Sequence, residues 1–138
     1  MEIGDFILDM LERMQQAVTT AVGDLTHEEL TWRPRAEANP IGFILWHQLR
    51  GEDAFVQGII RQKPQLWVSE KWYKKLNLPE DPRDNGHGYT AEQVAAFPIP
   101  ELKDLLEYAG AVRVRTVEYL NGVPPDKFDE VVQTRVFG

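Results

Sequence analysis

Three stretches of about 20 residues each carry apolar side chains spaced by three or four, the period of a helix with one buried face. Ile7, Met10, Leu11, Met14, Val18 and Ala21 form the first stripe and predict a helix over 3–22, with Gly23 where a C′ residue belongs. Ile41, Leu45, Leu49, Phe55, Val56 and Ile59 spread over a wider arc and predict a second helix over 40–62, buried against more than one neighbour. Asn39 is its expected N-cap and Pro40 its first residue, and Lys63-Pro64 stops it. Leu102, Leu105, Leu106, Ala109, Val112, Thr116 and Leu120 predict a third over 100–121, ended by Asn121-Gly122 and Pro124-Pro125. No segment reads convincingly as a strand, so the expected class is all-α.

The connections are equally telling. Five of the nine prolines fall between residues 64 and 100, together with Trp67, Trp72 and Tyr73. Short helices are expected at 67–76 and 91–97, the second opened by a Thr90–Gln93 capping box. A similar box, Thr26-His27-Glu28-Glu29, predicts a short helix or turn that Trp32-Arg33-Pro34 ends. So long a connection between helices generally means a crossover or a functional loop. Val131–Gly138 reads as extended and β-prone. Three amphipathic helices and one long crossover point to a four-helix bundle whose last helix is missing from residues 1–138, which form one domain.

Charge and composition narrow the function. Fifteen Lys and Arg against 22 Asp and Glu give a net charge of −7, with the basic residues scattered, which argues against nucleic-acid binding. The chain has no cysteine, which excludes disulfides, thiolate-bound zinc and a cysteine nucleophile, and makes a reducing cytoplasmic compartment the expected one. The first residues carry no basic segment followed by an apolar run, and no stretch reaches the ~18 apolar residues of a membrane span.

Three histidines are the first candidates for chemistry. His27 sits inside a capping box and reads as a surface residue. His87, in Asn85-Gly86-His87-Gly88, belongs to a loop whose polarity accounts for it, and that loop lacks the spacing of a phosphate cradle. His47 shares a helical stripe with Gly51, Ala54 and Gly58, flanked by Phe43 and Ile44. The small residues leave space over its ring or allow a close helix approach, so His47 is either a satisfied core residue or a ligand. It is expected to face the bundle interior or its open end, near Gly51. One histidine does not make a metal site, because such sites want about three protein ligands, and no HxxxH pair is present.

Glu52 falls within the apolar arc of the second helix. Either it is buried and paired with Arg113 or Arg115 of the third, or it lies at the edge of the arc and reaches water. Arg50, Asp53 and Gln57 fall on the polar side, where no special role is expected. Ser69 has no histidine or aspartate at an informative spacing. Lys71-Trp72-Tyr73-Lys74-Lys75 reads as a short amphipathic helix that packs its tryptophan inward, ahead of a single-strand-binding patch.

Taken in order, several of these pieces resemble one family. Leu25-Thr26-His27-Glu28-Glu29-Leu30-Thr31-Trp32-Arg33-Pro34, Asn39-Pro40-Ile41-Gly42, Trp46-His47 and Glu52-Asp53 are similar to the DinB-like (YfiT-like) superfamily. Trp67–Leu76, Thr90-Ala91-Glu92-Gln93-Val94 and the Leu105-Leu106-Glu107-Tyr108 helix extend the likeness over residues 5–125. The resemblance implies a four-helix bundle, up-down-down-up, with the long crossover between helices 2 and 3. It implies a divalent metal (nickel, zinc or iron) held by three histidines, one from the second helix and an HxxxH pair from the fourth. His47 matches the first, and the other two have no counterpart up to Gly138. The chain is therefore expected to be truncated at its C-terminus, with its apolar groove covered by a further helix, a second chain or residues 125–138.

The resemblance further implies a metal-dependent hydrolase, or a transferase or isomerase using a low-molecular-weight thiol, acting on a small molecule and pairing into a homodimer. There the metal acts as a Lewis acid or lowers the pKa of a bound water or thiol. The alternative is a non-catalytic bundle that binds a small ligand or a partner protein, with His47 as a relic.

Overall fold

The computed structural model describes residues 1–132. Its helices are α1 (Ile3–Val22), α2 (His27–Thr31), α3 (Ile41–Asp53), α4 (Leu66–Ser69), α5 (Trp72–Lys75), α6 (Ala91–Ala96) and α7 (Leu102–Gly122). A π-helical segment, Ala54–Ile60, continues α3, and a 3-10 turn, Pro125–Lys127, follows α7. No strand occurs among the described residues. The all-α expectation and the three long helices therefore stand; six residues of the β-prone tail, 133–138, lie outside the described residues.

Local chemistry explains most boundaries. Both capping boxes form: Thr26 accepts from the Glu29 backbone while Glu29 accepts from the Thr26 backbone, and Thr90 and Gln93 repeat the exchange. The second long helix begins one residue later than expected, because Pro40 is itself the extended N-cap residue and Asn39 caps nothing. Gly23 ends α1 in the right-handed region (φ −61°), so no left-handed cap is used there. Gly122 belongs to the last turn of α7 and Val123 is the cap.

The three long helices run up, down, down. α7 packs between the other two, antiparallel to α1 and parallel to α3. Arg113 reaches Leu11 and Gln15 on α1 and Glu52 on α3. Phe128, just past the 3-10 turn, comes back to the start of α1, where a Cβ on Gly4 would sit 3.4 Å from its ring. Where α1, α3 and α7 converge, an open groove of about 260 Å³ remains, walled by Met14, Val18, Leu45, Leu49, Leu106 and Ala109.

That groove explains where the stripes depart from expectation. Ile7, Leu11 and Val18 of α1 are half-buried, but Met10, Met14 and Ala21 are exposed. On α3 and its π-helical continuation, Leu45, Leu49 and Val56 are buried, whereas Ile41 and Phe55 are exposed, Phe55 by 57%. The described residues thus leave one apolar face of the bundle uncovered. The α7 stripe, with a neighbour on both sides, is at least half-buried throughout.

The core lies on the other side, under the crossover. Leu30, Trp46, Trp67, Leu105, Tyr108 and Val112 are at most 1% exposed. Trp67 and Trp72 both pack against Tyr108, with ring centroids 5.6 and 5.5 Å apart, so the aromatics of the crossover turn inward as the sequence suggests.

Candidate functional site

Residues 63–85 do not hang off the bundle as a loop. They are fastened across the face of α3 by a polar cluster that helical periodicity assigns to the solvent side. Arg50 and Asp53 are both fully buried and Gln57 is 5% exposed, so the expectation that these three occupy a solvated face is wrong. The reason is tertiary: the crossover covers that face.

Each partner in the cluster is identifiable. Asp53 accepts from the backbone N–H groups of Leu66 and Trp67, both at 2.9 Å, and so caps the start of α4 from a distance in sequence. Tyr108 donates its hydroxyl to Asp53 Oδ2 at 2.7 Å and accepts from Arg50 Nη1 at 3.3 Å. Arg50 also donates to Gln65 Oε1, the Pro82 carbonyl and the Asp84 carbonyl at 2.8, 3.1 and 3.2 Å. Its guanidinium lies over the Trp67 ring, 4.2 Å from the centroid. A buried ion pair is tolerated only when its remaining donors and lone pairs are satisfied, as they are here. Burial, and then the charge of Asp53, push the Tyr108 phenol well above its ordinary pKa.

This clamp delivers the next residues of the crossover to His47. Gly86 has a left-handed φ of +86°, and a Cβ there would fall 2.8 Å from Phe43 and 3.0 Å from Trp46. Only glycine lets the backbone come so close to α3. Asn85, one residue before, places its carbonyl oxygen on His47 Nδ1. A carbonyl only accepts, so Nδ1 carries the proton and the Nε2 lone pair of the neutral ring stays free. The His47 ring lies parallel to Phe43, with centroids 6.4 Å apart.

His47 is exposed and stands beside the groove, not inside it; its neighbour Gln48 is the groove residue. The small-residue stripe makes room and does not serve helix contact, since a Cβ on Gly51 would meet nothing within 4 Å. His27 is a surface residue, 3.6 Å from Glu101, and His87 is exposed, its backbone N–H donating to Asn85 Oδ1. Among the described residues no three His, Cys, Asp or Glu side chains come together as a metal site would require. His47 has the arrangement expected of one ligand, because metal-bound histidines commonly donate their second nitrogen to a carbonyl.

Glu52 resolves in favour of a partner, and the partner is Arg113. The guanidinium grips both carboxylate oxygens, at 3.0 and 3.2 Å, and Thr116 donates to Oε1 at 2.8 Å. Arg115 instead pairs with Glu70 and Glu118. The Glu52–Arg113 pair closes one end of the groove, with each side chain 19% exposed.

Sequence reading missed Asn85, Arg50, Asp53 and Tyr108. A backbone carbonyl has no residue signature, and Asn85 was legible only through the glycine after it. Arg50 and Asp53 had a detectable signal in their i, i+3 spacing beside an apolar stripe, but such pairs are common on exposed helices.

Comparison with known proteins adds three findings. A family model described as the DinB superfamily matches residues 10–138. The fold is similar to a crystal structure of a conserved protein from Enterococcus faecalis, with a TM-score of 0.82 at 22% identity, covering 95% of this chain and 76% of that one. No curated protein matches the sequence.

Proposed function

The chain belongs to the DinB superfamily, and from that premise we propose that it is a metal-dependent enzyme acting on a small molecule, with His47 as one metal ligand. The observation that carries this is the bond from His47 Nδ1 to the Asn85 carbonyl, which leaves Nε2 as the only coordinating atom of a ring held in place. In this reading the metal is nickel, zinc or iron. The reaction is a hydrolysis, or a thiol-dependent transfer or isomerisation with a low-molecular-weight thiol as partner. The work is done in the cytoplasm by a homodimer. Residues 1–132 supply a single ligand candidate, and no catalytic step is assigned to the metal.

No helix among the described residues is long and apolar enough to cross a membrane. The acidic charge of −7 fits a small-molecule substrate better than a nucleic acid.

A second reading is favoured by the open groove. Its apolar walls and the Glu52–Arg113 pair at one end suit a non-catalytic bundle that binds a small ligand or a partner protein. Metal analysis of the purified protein separates the two. About one equivalent of divalent metal per chain supports the enzyme; none, after growth in metal-supplemented medium, supports the binding module.

A further inference from the structure

A second concave site lies where the π-helical segment ends, beyond the crossover clamp. It encloses about 290 Å³ and is lined by Gln57, Arg61, Lys63, Ser69, Glu70 and Arg115, with Pro64 and Leu66 at its wall. Gln57 is ten residues past His47 on the same continuous helix, ~15 Å along its axis. This site therefore stands apart from His47 and does not depend on the metal reading.

Its chemistry is that of hydrogen-bond donors. Three of its lining residues are cationic and one is anionic, in a chain whose net charge is −7. Glu70 is 3.6 Å from Arg115, which also donates to Glu118 at 3.0 Å. Arg61 and Lys63 have no carboxylate partner among the described residues. Gln57 orients the cluster. Its Oε1 accepts from Arg61 Nη1 at 2.8 Å, which fixes the guanidinium and leaves the Gln57 amide N–H group without a partner among the described residues. Gln57 is 5% exposed overall, and its amide nitrogen keeps contact with solvent. Two carbonyls of the last turns are already bonded: Val56 accepts from Arg61 N at 2.9 Å and Gln57 accepts from Lys63 N at 2.8 Å. These two do not compete for a ligand's place.

We propose that this pocket binds a small molecule through a phosphate-type oxyanion. The Gln57 amide, the free edge of the Arg61 guanidinium, the Lys63 ammonium and the Ser69 hydroxyl would share its oxygens. Guanidinium and ammonium groups are the usual partners of phosphate, and a doubly charged oxyanion uses both unpaired cations where a single carboxylate would leave one over.

The test is a titration of the full chain with inorganic phosphate, followed by NMR at the Gln57 side-chain amide, with sodium chloride at matched ionic strength as control. The expected result is a saturable shift with a Kd in the range of about 1 mM or tighter, absent with chloride. Lys63→Glu should weaken binding by at least about tenfold, Lys63→Arg should hold it within about threefold, and Glu70→Gln should tighten it. Both positions are at the surface, and retained helicity by circular dichroism confirms that each variant folds. A linear response that chloride reproduces, or equal affinity in Lys63→Glu and wild type, overturns the proposal.

Discussion

His47 and Asn85, 38 residues apart in the chain, are joined by a bond from the Nδ1–H of an α3 histidine to a main-chain carbonyl of the crossover. Everything that places that carbonyl is structural: the Arg50 guanidinium holds Pro82 and Asp84, and Gly86 turns the chain against Phe43 and Trp46. The crossover therefore works as the orienting arm of the histidine. Gly86→Ala should strain this arm twice, through its positive φ and through contact with two aromatic rings, at a cost of about 1–3 kcal/mol. Urea unfolding measures the loss. Nitrogen-15 NMR of His47 should show the proton shared between Nδ1 and Nε2 in the variant and held on Nδ1 in the wild type. An unchanged tautomer in the variant would detach Gly86 from the histidine.

Asp53→Ala should be among the most damaging substitutions in the chain. It strips two backbone N–H groups and the Tyr108 hydroxyl of their acceptor and leaves Arg50 buried without a charge partner. Breaking a buried pair this way costs about 3–5 kcal/mol. Asp53→Asn keeps the shape and part of the bonding and should cost less, about 1–3 kcal/mol. Equal effects in the two variants would mean that the carboxylate charge carries the whole contribution and that the retained shape and amide bonding add nothing.

Glu52 and Arg113 should be coupled by about 1–2 kcal/mol in a double-mutant cycle to alanine, because the pair is bidentate and four-fifths buried. Glu52 and Arg115 should show less than about 0.5 kcal/mol, since Arg115 engages Glu70 and Glu118. A reversed order would contradict the assignment of partners.

These cases show what a sequence of this kind displays and what it hides. Capping boxes at Thr26 and Thr90 and the α7 stripe were legible because the groups that decide them lie within a few residues of one another. The partner of Glu52 was legible as a choice of two, since only packing separates Arg113 from Arg115. The burial of Arg50, Asp53 and Gln57 was hidden, because periodicity ranks faces by composition and cannot foresee that the crossover lies on the polar one. His47 was found as a residue type on a helix stripe, expected to face the bundle interior or its open end; that the ring is exposed and held by a crossover loop had no signal in the stripe.

Alkaline pH gives an independent check on the crossover. Burial first, and then the hydrogen bond to Asp84, raise the Tyr89 pKa from 10.0 to about 12. Tyr108 shifts in the same direction. A folded pKa above the unfolded one means that the native state binds the proton more tightly. The stabilisation is then complete below about pH 10 and is lost as the pH rises toward about 12 and beyond. Urea midpoints should fall across that window, and phenolate absorbance should show two of the four tyrosines ionising late. A flat stability profile with four tyrosines titrating together would contradict these environments.

The most direct test of His47 as a ligand is nickel affinity of the protein, measured by calorimetry, in wild type and in His47→Ala, with helicity followed by circular dichroism. His47 is exposed and makes one hydrogen bond, so its removal should leave the fold intact. The account predicts nickel binding at least about tenfold weaker in His47→Ala with unchanged helicity. Equal affinity in the two proteins would show that His47 is not a ligand and would leave the binding-module reading in its place.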